Sequence, residues 1–464
     1  MKKKLLLPVF LLNIIFSYAQ ELKKGALSNK ILNELRKSYK ESNYYKAVSH
    51  AVQHNPINKL AYTGYNDNID DFFKYRVKTK GITNQKQSGR CWMFASLNII
   101  RPIIIQKLNL PSFEFSTNYL YFYDLLEKSN LFLEGVIQTK TADFKDRTVE
   151  WLFKNPIGDG GVWNLFVNLV KKYGVVPKEV MDETYNSENT NNLRKILAYK
   201  LREFGYILKT KAIKGEKYEN LEKEKIEMLK DIYKILVFAL GEPPTEFEWR
   251  YKNEEDIVSE WKKYTPKSFY NEYIGINLDE YVLIMDDPSR EYYKLYEIEY
   301  DRNLYEGINW WFINLPTEKF KKAAVASIKN NEAMYFSCDV GKELNREKGI
   351  LAINNYDYES LFDTKFGMDK KARILTFQSG STHGMAIVGV DTDKDDNPTK
   401  WLLENSWGKD NGHNGYLIMT DEWLDNYMFR IVINKKYLSK EILNLLNQKK
   451  IKLPPWDPMF EYDK

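Results

Sequence analysis

Only two cysteines, Cys91 and Cys338, occur in 464 residues, too few for a disulfide scaffold. Histidine is almost as scarce, with His50, His54, His383 and His413 making up the full set. No Cys/His cluster has zinc-site spacing, so neither a metal nor another cofactor is expected. After the N-terminal segment, every long stretch carries charges, which excludes a later membrane span. There is no internal repeat and no low-complexity tract. With 43% hydrophobic residues the chain can bury a large core and does not read as disordered.

The N-terminus reads as an export signal. Lys2, Lys3 and Lys4 precede an apolar run from Leu5 to Phe16, and Ser17-Tyr18-Ala19 supplies a cleavage site. Cleavage after Ala19 would leave Gln20 at the new terminus and no membrane attachment; an uncleaved anchor is the alternative. Removing those three lysines from a formal net charge of +5 leaves about +2. So small an excess gives no basis for a nucleic-acid partner.

The length suggests about two to four domain-sized units, or one elaborated domain. Residues 20–80 are polar and tyrosine-rich and read as an N-terminal arm, helical around Ile31, Leu32 and Leu35. Residues 81–90 form a loop rich in turn formers. From Cys91 a helical pattern begins through Met93, Phe94, Leu97, Ile100 and Ile104, which Pro102 should kink or end. Ser116 reads as the N-cap of a second helix, and Gly174 as the stop of a third through Leu165 and Leu169. Residues 190–240 carry two apolar stripes, Leu193-Leu197-Leu201-Phe204-Leu208 and Ile226-Leu229-Tyr233-Leu236. They open what reads as a helical insertion to about residue 330. Beyond it, Tyr335–Cys338, Met385–Val388, Lys400–Leu403 and Gly415–Ile418 are short apolar strands bounded by turns. A helix-rich half followed by a strand-rich half suits an α+β enzyme with a cleft between them.

A glycine-containing loop running into a helix puts Cys91 at a helix N-terminus. Unpaired amides and the helix dipole there favour a thiolate. Gln85, six residues upstream, is placed to return its side-chain amide toward the sulfur and form an oxyanion hole with the Cys91 N–H. Taken alone, Cys91 also fits a core cysteine, or a disulfide with Cys338. A thiolate needs a partner that gives and takes a proton, and His383 at the start of an apolar strand supplies one. Asn405, at the end of another strand, is suited to accept the histidine Nδ1–H and fix its tautomer. Each element is weak separately; the order cysteine, histidine, asparagine makes the case.

The segments Gln85…Cys91-Trp92, His383 and Asn405-Ser406-Trp407-Gly408 resemble the papain superfamily. The finer wording is similar to its bleomycin hydrolase and aminopeptidase C branch. It includes Asp159-Gly160-Gly161, Lys172 to Pro177, Cys338 to Lys342, Met419 to Trp423 and Trp456-Asp457-Pro458-Met459. The resemblance runs from about residue 30 to 459. It implies a papain-like two-lobed cysteine peptidase core, with a Cys lobe at 81–189, an insertion at 190–330 and a β-rich His/Asn lobe at 331–445. A signal at 1–19, an arm at 20–80 and a C-terminal arm at 446–464 complete the map.

By the same resemblance Cys91 is the nucleophile, His383 the acid/base, Asn405 its orienter and Gln85 the oxyanion donor. Trp407 would shield the Asn–His bond, and Gly160 and Gly161 would border the cleft and bind substrate; a plain turn is the alternative for the two glycines. Peptides are the implied substrates. The implied assembly is a homohexamer whose C-terminal carboxylate holds the substrate's free amino group, so that residues leave from the N-terminus. The tail departs from the family: Phe460-Glu461-Tyr462-Asp463-Lys464 is bulky and charged. Asp463 would attract an ammonium group and Lys464 oppose it. Two other readings stay open, an endopeptidase or amide hydrolase released by that tail, and a non-catalytic binding protein.

Overall fold

The computed structural model describes residues 24–39, 42–457 and 459. The proposed signal and tail residues Asp463 and Lys464 lie outside them. Among the described residues no helix is long and apolar enough to cross a membrane.

The chain divides into two compact units, residues 1–61 and 62–464. The described part of the first contains helices Asn29–Ser38, Asn43–His54 and Ile57–Ala61. Serine hydroxyls at Ser28 and Ser42 accept from the first-turn amides of Ile31 and Tyr45 and start the two longer helices. The N-terminal arm therefore ends near residue 61 and not at 80. Residues 62–80 join the second unit through backbone pairing: Thr63 N–H donates to the Asn355 carbonyl at 3.0 Å, and Tyr75–Arg76 pairs with Val390 and Gly389.

The second unit is α+β. Its first half supplies helices Cys91–Leu108, Thr117–Gln138, Trp163–Tyr173, Thr190–Ile213 and Tyr218–Leu240. Ser116 caps the second of these by accepting from Tyr119 N–H, as its sequence position predicts. Gly174, at φ +74°, ends the third. Pro102 does not end the first, which runs on to Leu108.

Among the described residues the second half builds all but one strand, Tyr75–Arg76, of a 12-stranded sheet. Its centre runs in the order Met428–Asn434, Met334–Cys338, His383–Thr392, Pro398–Glu404, Tyr416–Thr420, all antiparallel neighbours. The Cys91–Leu108 helix packs on this centre, burying Met93, Leu97, Ile100 and Ile104. That packing brings the start of the helix to the start of the His383 strand.

Beyond Leu240 the expected helical insertion is only partly helical, keeping Pro266–Tyr273 and Lys321–Lys329. Gly241, at φ +86°, stops the helix. Tyr281–Met285, Lys294–Ile298 and Trp311–Asn314 then extend the same sheet beyond Met428–Asn434. Their runs of β-branched and aromatic residues are strand-like, and the helical pattern before Gly241 does not carry into them. The second predicted stripe holds at Leu236, which is buried, and at Leu229 and Tyr233, which pack against the core half-buried, but Ile226 is exposed; the fully buried face runs through Leu221, Lys225, Met228, Ile232 and Leu236. Lys225 occupies a core position because its ammonium meets Glu134 at 2.6 Å, a pairing no hydrophobicity pattern reveals.

Candidate active site

Cys91 is the first residue of its helix. The preceding Arg90 makes no side-chain cap bond, and a thiolate at this position stands at the positive end of the helix dipole. The loop before it is closed on itself. Gln85 Nε2 donates to the Ser88 carbonyl at 2.7 Å, and Ser88 Oγ donates to the Gln85 carbonyl at 2.6 Å. It is also tied to the asparagine turn. Gln85 N–H donates to the Ser406 carbonyl at 2.8 Å, and Ser406 Oγ donates to Gln85 Oε1 at 2.7 Å. A primary amide carries two N–H groups, so the bond to Ser88 still leaves Gln85 one donor. Beneath the loop the buried Arg90 guanidinium pairs with Glu183 at 2.9 Å and lies between the Phe94 and Tyr121 rings.

His383 opens its strand and is buried. Its Nε2 lies 2.8 Å from Asn405 Oδ1. The expected nitrogen is thus corrected: Nε2, not Nδ1, faces the asparagine. Since Asn405 Oδ1 already accepts the Ser406 N–H at 2.8 Å, it is the acceptor here, and Nε2 carries the proton. Nδ1 remains as the base. Trp407 stacks on the imidazole at 4.8 Å between centroids. It is placed to shield the Asn–His bond.

Burial pushes His383 down to about 4, the Asn405 bond working against the shift and Arg346 with it. The ring is therefore neutral at pH 7 unless an anion stands opposite it. The folded state prefers the neutral ring, so this contribution to stability is complete above the ordinary value of 6.5 and is lost as pH falls toward 4.

Cys91, His383, Gln85, Gly160 and Gly161 line one pocket of about 230 Å³. The two halves approach closely there: a Cβ on Gly384 would lie 3.4 Å from Trp92 Cα. Gly161 is bare for a similar reason, since a Cβ on it would meet the Trp92 ring at 2.7 Å. A larger cavity of about 440 Å³ shares Gly160 and Gly161 but holds no cysteine or histidine. Neither Cys91 nor Cys338 is in a disulfide, and burial pushes the Cys338 thiol well up.

Two residues near the pocket escaped the sequence reading. Arg430 lines it from the Met428–Asn434 strand and donates to the Met459 carbonyl at 3.2 Å. A charged residue inside an apolar strand was the available signal. Asp159, beside the two glycines, holds the nucleophile loop, and no pattern in its own neighbourhood announces that.

A family model described as "Peptidase C1-like family" matches residues 26–460. Aminopeptidase C of Streptococcus thermophilus is 38% identical, over 94% of this chain and 98% of its own length. Bleomycin hydrolase of Homo sapiens is 39% identical, over 83% and 88% respectively. The crystal structure of PepW from Lactobacillus rhamnosis superposes with a TM-score of 0.91 at 36% identity, covering 94% of this chain and 99% of that one.

Proposed function

Because the chain belongs to the peptidase C1-like family of cysteine peptidases, we propose that it removes residues from the N-terminus of peptides through a thioester acyl-enzyme. The observation that carries this is the placing of Cys91, at a helix N-terminus, in one pocket with a buried His383 oriented by Asn405.

In this reading His383 Nδ1 takes the thiol proton, and the sulfur attacks the scissile carbonyl carbon. The displaced electron pair goes to the carbonyl oxygen, where the Cys91 N–H and the remaining Gln85 N–H stabilise it. Nδ1 then gives its proton to the leaving amine as the C–N bond breaks. Water, deprotonated by the same nitrogen, attacks the thioester and releases the acid and the thiol. Nothing in the scheme needs a metal or another cofactor.

Direction of trimming is tested with one peptide in free and N-acetylated form. The free peptide should be cleaved at least about tenfold faster, because acetylation removes the charge that the C-terminal carboxylate implied by the resemblance would hold. Equal rates would sink the aminopeptidase assignment and favour endopeptidase action. In that second reading, chain upstream of the scissile residue would occupy the cavity that shares Gly160 and Gly161 with the pocket.

The same reading has residues 1–19 removed on export and the mature chain assembled as a homohexamer without membrane attachment. Export is supported by the Lys2–Lys4, apolar run and Ala19 pattern, and the assembly by the family resemblance alone. Intact mass should place Gln20 at the N-terminus, and light scattering should give a hexamer's mass. A chain beginning at Met1 overturns the export reading, and a monomer overturns the assembly.

A further inference from the structure

Asp159 is 6% exposed and sits between three parts of the molecule. Its Oδ2 accepts the Gly89 N–H at 2.8 Å, two residues before Cys91. The same oxygen accepts from the Thr190 hydroxyl, and Oδ1 from Arg194 Nη1 at 3.4 Å, both on the Thr190–Ile213 helix. Its backbone carbonyl accepts Trp92 Nε1 at 2.8 Å, the residue after Cys91. Chain continuity then leads directly to Gly160 and Gly161, which border the pocket. Burial pushes the carboxyl up, but the bonds from Thr190 and Gly89 outweigh it and hold Asp159 below its ordinary value. Gly89 is shaped to this contact, since a Cβ there would lie 2.4 Å from Asp159 Oδ1.

We propose that Asp159 is a positioning residue: by holding the Gly89 N–H, its carboxylate fixes the Cys91 amide against the Gly160–Gly161 backbone. The oxyanion donor and the Gly160–Gly161 backbone that aligns the substrate then stay in register. The Thr190–Ile213 helix, outside the expected Cys lobe, becomes part of the catalytic support through Thr190. The assignment rests on Cys91 being the nucleophile. It adds that the acyl-transfer geometry, and not the existence of the thiolate, depends on residue 159.

The test compares the parent with Asp159→Ala, Asp159→Asn and Gly89→Ala. Each is measured by steady-state hydrolysis of an aminoacyl arylamide, inhibition by a peptide aldehyde, and alkylation of Cys91 by iodoacetamide. An aldehyde forms an oxyanion on the enzyme; alkylation needs only the thiolate. Misplacement by about an ångström costs on the order of 10²-fold, so Asp159→Ala should lower kcat by about that factor. KM should stay within about threefold, as expected when an interaction made only in the transition state is lost. Aldehyde affinity should fall in proportion to kcat while the alkylation rate holds. Asp159→Asn should restore kcat, because its amide oxygen accepts the same N–H. If Asp159→Ala does not fold, Gly89→Ala displaces the carboxylate from the other side and should give the same pattern.

A kcat within twofold of the parent in the alanine variants, or alkylation falling in step with kcat, would overturn the assignment. A parent enzyme that iodoacetamide leaves active would instead sink the reading of Cys91 itself.

Discussion

A Cys91→Ala protein should lose about 10⁴-fold or more in kcat/KM, as happens when the nucleophile of a concerted catalytic group is removed. Nothing else in the pocket replaces it. Ser337 lines the wall on a neighbouring strand, but no base is oriented on it as Asn405 orients His383. Folding should be nearly unaffected, because Cys91 is only half-buried and alanine suits a helix start.

The same variant exposes the electrostatics of the pair. With the sulfur gone, burial and Arg346 outweigh the Asn405 bond at His383, and ¹³C-histidine NMR should show its ring neutral until the pH approaches 4. In the parent a thiolate opposite the ring favours the imidazolium and moves the transition upward. A Cys91→Ala ring that titrates near 6.5 would mean that the site is wetter than the structure shows, and retained peptidase activity would end the assignment.

The second large effect concerns an ion pair remote from the substrate. Arg101, on the Cys91 helix, meets Glu404, the residue before Asn405, and neither side chain has any exposed surface. Arg101 also donates to the Gly81 carbonyl at 3.1 Å. The pair therefore joins the helix carrying the sulfur to the strand carrying the asparagine. Removing one partner of such a pair leaves a buried charge uncompensated and costs about 3–5 kcal/mol. Arg101→Leu should lower the urea midpoint accordingly and reduce kcat by displacing Asn405.

Burial already pushes the Glu404 carboxyl up, against the pull of Arg101. Without the arginine, protonation becomes the cheaper state. The destabilisation should thus shrink as pH falls from 7.5 to 5, the reverse of ordinary acid weakening. The double variant Arg101→Leu/Glu404→Leu should be more stable than either single one. Additive losses in the double variant would show that the two side chains do not act as a pair.

The chemistry of the site was more legible in the sequence than its surroundings. Cys91, His383 and Asn405 each follow a local rule, a helix start or a strand end, and their order in the chain does the rest. The nitrogen of His383 that faces Asn405 was not legible, because it depends on how a strand is rotated against a turn. Nor was the extent of the helical insertion. The pattern through Leu240 is periodic, but Tyr281–Met285 and Trp311–Asn314, though strand-like in composition, are too short to carry a clear period, and their place in the sheet is set by pairing with each other and with the distant Met428–Asn434 strand. Lys225, Arg101 and Glu404 are core residues by virtue of partners, and a pattern that sorts residues by polarity places them outside. The boundary at residue 61 was missed because Tyr75–Arg76 is a strand of two residues, too short to carry any periodicity.

The helix that bears the sulfur and the strand that bears the imidazole are made about 300 residues apart. At roughly 5–20 residues per second, a ribosome needs tens of seconds to cover that distance. The thiol thus emerges with no base opposite it. Its proton acceptor arrives only with the long-range strand pairing that is slowest to form. A growing chain therefore has no means of cleaving itself or its neighbours until the sheet has closed around His383.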